Sequence, residues 1–179
     1  MSHATTAVAG SRTPIHSLDS LAACSLEELD ALYRAAAAPS TMRAADGELT
    51  GRMLAVRGLP GPLAGPLRRW AAAPSFVWEG KTFRAAGEAH GMGHNRVNVP
   101  GLLGRQSLFP FATRFGASSL DGAPTLILDY DLGANPGYIR RIHDEIREIA
   151  TGLFLGPAMW KTEREPVLVL WFALDARLS

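Results

Sequence analysis

The chain has 179 residues, of which 47% are hydrophobic and 20% are charged, and its formal net charge is +1. This length suits one domain with a substantial core, and the composition excludes a disordered or a fibrous protein. Because basic and acidic residues are mixed along the chain, we expect neither nucleic acid nor a membrane as a partner.

We find no pattern of a signal peptide, a membrane-spanning segment or a metal site in the sequence. Residues 1–20 lack a basic start followed by an apolar run, and nowhere do eighteen apolar residues run together. We therefore expect a cytoplasmic protein. The single cysteine, Cys24, excludes an internal disulfide, and no spacing of Cys and His resembles a zinc site. We expect no metal and no other cofactor.

The N-terminal region predicts a disordered segment followed by a helix. Residues 1–20 are small and polar, as in a frayed terminus, and we expect a single folded domain over residues 21–179. Ser25 followed three residues later by Glu28 forms a capping box. The spacing predicts an amphipathic helix from Ser25 to Ala38, with an apolar face formed by Leu26, Leu29, Leu32 and Tyr33.

The next part of the chain alternates turn residues with short apolar runs. Residues 47–58 predict a strand with a bulge at Gly51, and residues 76–87 predict a second strand that is broken or bulged around Gly80. Residues 60–74, which lie between them, contain prolines that interrupt a helix. We therefore predict a loop there that carries one short helix.

Further strands and turns follow up to the middle of the chain. Residues 87–107 are rich in Gly and Asn and predict two edge strands joined by turns. Residues 108–119 predict a strand that places four side chains on one face, namely Phe109, Phe111, Thr113 and Phe115.

Two hairpins complete the predicted strands. Asp121 and Gly122 form a turn signal directly before the apolar residues 124–131. A second hairpin is predicted around the polar residues 162–165, and its last strand, Val167 to Leu174, is almost continuously hydrophobic.

Together these elements predict a mainly β fold, a small antiparallel barrel with an N-terminal helix and one or two helical turns. The long crossover helices that a parallel sheet requires are missing. A closed barrel removes exposed strand edges and keeps a lumen for side chains or one small ligand. We therefore expect a functional site to lie in the lumen.

The strand pattern also carries a family resemblance. Residues 49–83 resemble the GXWXG family, a bacterial domain of uncharacterised function, in which a Gly-x-Trp-x-Gly strand precedes a Trp-x-Gly-Lys-x-Phe strand. Residues 51–55 echo the first motif, and the second is matched by Trp78, Gly80, Lys81 and Phe83. The strand order and residues 169–174 resemble a lipocalin-like (calycin) barrel, a class that includes cyclases of bacterial natural-product pathways.

Residues 137–160 admit two interpretations. The isoleucines at 139, 142, 146 and 149 follow helical spacing, which by itself favours one amphipathic helix. The resemblance to lipocalin-like barrels instead implies a short helical turn that leads into a strand from Asp144 to Ile149. In a strand, His143, Glu145 and Arg147 share one face. We predict that this trio points into the lumen as catalytic residues, with Glu145 as proton acceptor and Arg147 holding a ligand oxygen.

Aromatic and polar side chains are predicted to line the lumen and its rim as ligand-binding residues. His90 and His94 are four residues apart, but nearby glycines disfavour the helix that would bring both to one metal. We therefore assign His94 to a rim loop. The predicted ligand-binding set is Trp78, Phe109, Phe111, Phe115, Tyr130, Asp129 and His94.

Three functions remain open at this point. The first is a lipocalin-like barrel that binds an apolar or amphipathic small molecule without chemistry of its own. The second is a cofactor-free cyclase or isomerase on the same barrel, which a carboxylate, a His and an Arg converging in the lumen would favour. The third is an interaction module, for instance a homodimer, that pairs through an uncovered C-terminal strand.

Overall fold

The computed structural model describes residues 17–56, 77–99 and 104–178. Within these ranges the chain forms two α-helices, three 3-10 turns and eight β-strands. The helices are α1 (Leu18–Ala22) and α2 (Leu26–Ala35), and the turns are Met42–Ala45, Ile139–Arg141 and Ala176–Leu178. The strands are β1 (Gly47–Val56), β2 (Val77–Ala85), β3 (His90–Val99), β4 (Gly104–Ala117), β5 (Pro124–Asp129), β6 (Ile142–Ala150), β7 (Leu153–Trp160) and β8 (Val167–Asp175).

The strands close into one antiparallel barrel in chain order. Each strand pairs with the next, and β8 pairs back with β1 through register partners such as Leu174 and Gly51. The predicted fold class, a mainly β antiparallel barrel with an N-terminal helix, is confirmed. Because β8 is paired on both sides, it has no free edge on which a second copy could add, and the condition set for the interaction module is not met.

Alternating side chains divide the barrel wall into an interior face and an outer face. The helices α1 and α2 pack on the outer face of the wall, where their apolar side chains bury part of the strands. Buried apolar residues form two clusters. The cluster inside the barrel, which we call the interior cluster, consists of Met42, Ala45, Leu49, Phe83, Phe111, Leu126, Leu128, Tyr130, Ile139, Ile146, Phe154, Phe172 and Leu174. The cluster between the helices and the barrel wall, which we call the outer cluster, consists of Leu18, Leu21, Leu29, Tyr33, Leu153, Leu155, Trp171 and Ala173.

The predicted helix is present and begins where expected. The side chain of Ser25 accepts from the backbone N–H of Glu28, whose carboxylate accepts from the backbone of Ser25 at 2.8 Å. The helix ends at Ala35, before the predicted Ala38. Helix α1 was not predicted and starts within the segment expected to be disordered. None of the helices in the described ranges is long and apolar enough to cross a membrane.

Two strand predictions need correction. Residues 87–107 were expected to form two edge strands, but they contain the strand β3, which is paired on both sides, and the start of β4, which pairs with β3. The bulge expected at Gly51 is a register shift between Met53 and Ala55 in the pairing of β1 with β8. Barrel closure explains both differences, because neighbours distant in sequence set the pairing. The predicted loop and short helix at 60–74 lie outside the described residues.

The structure decides between the two interpretations of residues 137–160. A 3-10 turn over Ile139–Arg141 leads directly into β6, which pairs with β5 and β7. The strand interpretation is confirmed and the single helix is wrong. The physical reason is that β6 fills a place in the closed barrel, where its backbone is hydrogen-bonded on both sides. Local helical spacing does not outweigh those bonds.

Candidate functional site

A buried ion pair crosses the interior of the barrel. Lys81 on β2 donates from Nζ to Oδ2 of Asp144 on β6 at 2.9 Å, and each side chain is only 4% exposed. In the closed sheet, β2 and β6 are separated by three strands in either direction. The contact therefore spans the lumen and does not run along the wall.

Three further side chains complete the hydrogen bonding of this pair. Lys81 Nζ also donates to Tyr130 OH at 2.5 Å and to Asn95 Oδ1 at 2.9 Å. Tyr130 donates to Asp144 Oδ2 at 3.0 Å, and Asn95 Nδ2 donates to Tyr130 OH at 3.2 Å. Trp78 Nε1 donates to Asn95 Oδ1 at 3.0 Å. We call Trp78, Lys81, Asn95, Tyr130 and Asp144 the interior polar network.

Aromatic rings surround the Lys81 ammonium. Its Nζ lies between 5.1 and 5.5 Å from the ring centroids of Trp78, Phe111, Tyr130 and Phe172. A cation within about 6 Å of a ring centroid is attracted by the negative face of the ring. The ammonium is therefore held by the carboxylate of Asp144 and by the surrounding rings.

Burial shapes the electrostatics of the network. Desolvation lowers the pKa of Lys81, although the charge of Asp144 opposes this shift. Desolvation, followed by the charge of Asp144, raises the pKa of Tyr130 well above its usual range, so that Tyr130 stays a neutral phenol. Asp144 Oδ1 is buried and has no hydrogen-bond partner among the described residues. The network therefore offers one unused acceptor close to a phenol and an ammonium.

A bulge in β2 brings Trp78 and Lys81 to the same face. These residues are three positions apart, so strict alternation would place them on opposite faces. The pairing of β2 with β3 shifts its register between Trp78 and Gly80, as predicted for this strand, and the extra residue restores a common inward direction. Gly80 has a φ of 139°, and a Cβ at this position would lie 2.0 Å from the carbonyl oxygen of Leu49. The bulge therefore requires glycine.

Most of the predicted aromatic lining lies in the interior. Phe111 and Tyr130 belong to the interior cluster, and Trp78, Phe109 and Phe115 pack against it. Phe111 contacts Tyr130 with ring centroids 5.2 Å apart. The structure therefore brings these five side chains together, and their role in ligand binding stays a prediction.

Asp129 and His94 do not join them. Asp129 pairs with Lys161 Nζ at 2.6 Å and is the register partner of His143 on the outer face. His94 lies between inward-facing neighbours on β3, and its register partner is Thr82. Desolvation, followed by the charges of Arg84 and Arg96, lowers the pKa of His94. Neither side chain contacts the interior polar network, because strand alternation turns both outward.

The predicted catalytic trio also lies on the outer face. His143, Glu145 and Arg147 share one face of β6, which packs against α2 and the turn after β4. The opposite face carries Asp144 and Ile146, which lie in the interior. The inward direction predicted for the trio is therefore wrong, because the apolar Ile146 takes the interior and carries Asp144 with it. The catalytic role of the trio stays a prediction.

Glu145 anchors α2 to the barrel wall. Its fully buried carboxylate accepts from Tyr33 OH at 2.7 Å and from the backbone N–H of Ser119 at 2.7 Å, and His143 Nε2 lies 3.0 Å away. Burial by itself raises the pKa of Glu145, but hydrogen bonds from His143, Ser118, Ser119 and Tyr33 lower it to about 2. The charged carboxylate is therefore the form that holds the helix in place.

The grouping of Ser119, His143 and Glu145 does not form a nucleophilic triad. Ser119 Oγ lies 3.4 Å from His143 Nε2, and Glu145 Oε1 lies 3.0 Å from the same nitrogen. In a triad the nucleophile and the orienting carboxylate bind opposite nitrogens of the imidazole ring. These three residues are therefore not arranged for nucleophilic catalysis.

Arg147 holds the turn between β4 and β5 against the helix. Its fully buried guanidinium donates to both carboxylate oxygens of Asp121, at 2.8 and 2.6 Å, and lies 4.3 Å from the ring centroid of Tyr33. It also donates to the backbone carbonyls of Tyr33, Ala123 and Pro124. The hydrogen bonds to Asp121 raise the pKa of Arg147 above its already high usual value.

Sequence reasoning missed Lys81, Asn95 and Asp144 as site residues. A signal existed for two of them, since Lys81 belongs to the Trp-x-Gly-Lys-x-Phe match and Asp144 shares a strand face with the apolar Ile146. Asn95 carries no local signal. In the described part of the chain, no three His, Cys, Asp or Glu side chains are grouped so that they could hold a metal ion.

Comparison with known proteins supports the fold. No protein-family model matches the sequence, so the resemblance to the GXWXG family is not confirmed, and no curated relative matches either. The chain is similar to the crystal structure of a protein from Thermomonospora curvata, with a TM-score of 0.50 and 19% sequence identity over 85% of this chain and 87% of that chain. At this identity the likeness concerns the barrel fold alone.

Proposed function

We propose that the barrel binds an apolar or amphipathic small molecule in its interior, next to the interior polar network. The observation that carries this proposal is the Lys81–Asp144 ion pair, which is buried at 4% exposure among aromatic side chains. Ligand sites typically combine an apolar lining with a few placed polar groups. The interior polar network and the aromatic rings around it have this composition together.

Stability alone is a weak reason for such an ion pair. Removing two charges from water costs several kcal/mol per ion, and replacing a buried pair with apolar residues is often neutral or stabilising by about 1–4 kcal/mol. A small barrel interior can be filled entirely by apolar side chains. A contact with a ligand therefore explains the presence of Lys81 and Asp144 in the interior better than stability does.

Two residues of the network lie near one end of the barrel. Tyr130 directly follows the last residue of β5, and Asp144 is the third residue of β6, so both lie near the end where β5 finishes and β6 begins. A ligand next to these two residues would lie near this end of the interior. The predicted lining residues Trp78, Phe109 and Phe111 then provide apolar contact.

A second candidate function is a cofactor-free cyclase or isomerase. The observation that favours it is the combination of an acceptor, Asp144 Oδ1, with two donors, Tyr130 and Lys81, that lie within 3.0 Å of the other carboxylate oxygen. Acid–base catalysis requires a proton acceptor and a donor held on one substrate. In this case Asp144 takes the role of proton acceptor that was predicted for Glu145.

Binding is tested with the intact protein and a fluorescent apolar probe. We expect saturable binding of N-phenyl-1-naphthylamine, a fluorescent probe without a charge, and a bound small molecule in native mass spectra of the freshly purified protein. The double substitution Lys81→Met with Asp144→Leu should change probe affinity at least about fivefold, since it alters the polarity of the site. The absence of both saturable probe binding and a co-purified molecule would contradict the proposal.

The matched control alters an ion pair on the surface. Arg105 and Glu79 form an exposed pair at 2.6 Å, with the Arg105 side chain 62% exposed. The double substitution Arg105→Met with Glu79→Gln should leave probe affinity unchanged. If the control and the interior variant change affinity equally, the probe binds elsewhere and the interior site is rejected.

A further inference from the structure

We propose that the ligand presents a neutral hydroxyl group, such as a phenol, an enol or an alcohol, to Asp144, and that the site rejects carboxylates. This inference rests on the proposed function and specifies the chemistry of the molecule that is bound. It follows from an account of the donors and acceptors in the interior polar network.

Each donor group of the network already has an acceptor. The three ammonium hydrogens of Lys81 are directed to Asn95, Tyr130 and Asp144. Tyr130 donates its only hydroxyl hydrogen to Asp144 Oδ2. Trp78 donates to Asn95, whose own amide group donates to Tyr130 and to a backbone carbonyl. No donor of these residues is left for an anionic ligand.

The acceptors are not all used. Asp144 Oδ2 accepts from both Lys81 and Tyr130, whereas Asp144 Oδ1 is buried and has no partner among the described residues. An unpaired buried acceptor is costly, and that cost is larger for a charged group. A ligand that donates a hydrogen bond to Oδ1 would remove this cost.

The charges of the pair select among donors. A carboxylate ligand would place a second negative charge beside Asp144 and would find no free donor in the network. An ammonium ligand could donate, but its charge would lie close to the Lys81 ammonium, and like charges repel strongly in a low dielectric. A hydrocarbon would leave Asp144 Oδ1 unpaired. A neutral hydroxyl meets none of these obstacles.

One other interior hydroxyl could assist. Thr113 is the register partner of Leu128, and Leu128 is the register partner of Asp144, so the three residues form one row across β4, β5 and β6. Thr113 Oγ1 is buried and also has no partner among the described residues. A hydroxyl both donates and accepts, so Thr113 tolerates a second polar group on the ligand without favouring an anion.

Three naphthalene probes of similar size test the inference. 2-Naphthol carries a hydroxyl donor, 2-methoxynaphthalene has the same ring system without a donor, and 2-naphthoate carries a carboxylate. Isothermal titration calorimetry with the intact protein should show naphthol binding roughly tenfold or more tightly than the ether, since hydrogen bonds to charged groups are stronger than neutral ones. The naphthoate should bind more weakly than the ether.

Variants assign the discrimination to Asp144. In Lys81→Met with Asp144→Leu, the naphthol and the ether should bind with affinities within about twofold of each other, since the charged acceptor that distinguishes them has been removed. The surface control Arg105→Met with Glu79→Gln should keep the wild-type difference. If the interior double variant does not fold, as judged by circular dichroism, Asp144→Asn replaces it and should weaken the rejection of naphthoate.

The outcomes separate this inference from the proposed function. Equal affinities of the wild-type protein for naphthol and ether, or tighter binding of naphthoate than of naphthol, would overturn the inference and leave the binding function standing. A naphthol preference that persists in the interior variant would also overturn it. Failure of all three probes to bind would overturn both.

Discussion

Lys81 Nζ and Asp144 Oδ2 lie 2.9 Å apart, although their strands are separated by three strands in either direction around the barrel. The two residues therefore connect opposite sides of the wall through the lumen. Each one neutralises the buried charge of the other. This dependence gives a clear expectation for substitutions.

Removing one charge of the Lys81–Asp144 pair should destabilise the protein more than removing both. Lys81→Met leaves the Asp144 carboxylate buried without its counter-ion and should lower the free energy of unfolding by about 3–5 kcal/mol. Adding Asp144→Leu should recover most of that loss, because no uncompensated charge remains. Urea denaturation monitored by circular dichroism measures both values. A double variant that is less stable than Lys81→Met would refute this account.

The Glu145 carboxylate should make the free energy of unfolding depend on pH in the acidic range. Its pKa is about 2 in the folded protein against an ordinary value of 4.5, so the folded state favours the charged form. The stabilisation is fully present above pH 4.5 and is lost as the pH falls from 4.5 toward 2. At about 1.4 kcal/mol per pKa unit, the loss amounts to about 3 kcal/mol.

Glu145→Gln tests this pH dependence. The variant cannot ionise at this position, so its free energy of unfolding should vary less with pH between 4.5 and 2 than that of the wild type. Urea titrations at a series of pH values give the comparison. Parallel pH profiles for the two proteins would show that Glu145 does not carry the effect.

Arg147→Lys distinguishes a structural role from a ligand contact. Lysine cannot form the paired bonds to Asp121 while also reaching the carbonyls around it, so we expect a loss of about 2–4 kcal/mol in the free energy of unfolding. Arg34→Lys, at the exposed pair with Asp30, is the control and should cost less than about 1 kcal/mol. Full stability of Arg147→Lys together with lost ligand affinity would instead support the ligand contact that the sequence predicts for Arg147.

Gly80 should not tolerate a side chain. Gly80→Ala places a Cβ 2.0 Å from the carbonyl oxygen of Leu49 at a φ of 139°, and the required backbone shift should cost at least about 3 kcal/mol. Gly137→Ala is the matched control, since a Cβ there meets nothing within 4 Å, and its effect should stay within about 0.5 kcal/mol. Thermal unfolding compares the two. Equal effects would mean that the bulge is not constrained at Gly80.

Features that depend only on residues close together in the chain could be predicted from the sequence. The capping box of Ser25 and Glu28 is present because both partners lie within one helical turn. The hairpin at Asp121 and Gly122 forms between β4 and β5, and Gly122 has the positive φ of 74° that favours glycine. The bulge near Gly80 was likewise marked by a glycine within a strand pattern. Together these local signals determined a mainly β chain of short antiparallel strands.

The direction of β6 could not be determined in this way. Alternation correctly predicts that His143, Glu145 and Arg147 share one face, but alternation is symmetric and does not say which face lies inside. The burial of Ile146 in the interior and the docking of α2, with Tyr33 against Glu145, decide it together. The charged trio finds its partners in the helix and the turn after β4, so the outer face accommodates it.

The candidate site depends still more on tertiary structure. Lys81 and Asp144 are 63 residues apart in the chain, and neither position carries a local sign of its partner. Only closure of the barrel places β2 opposite β6, so that each buried charge is compensated by the other. The sequence by itself therefore determined the strands and their turns, while the closed sheet decided which side chains meet in the lumen, because such contacts arise from pairing between distant segments.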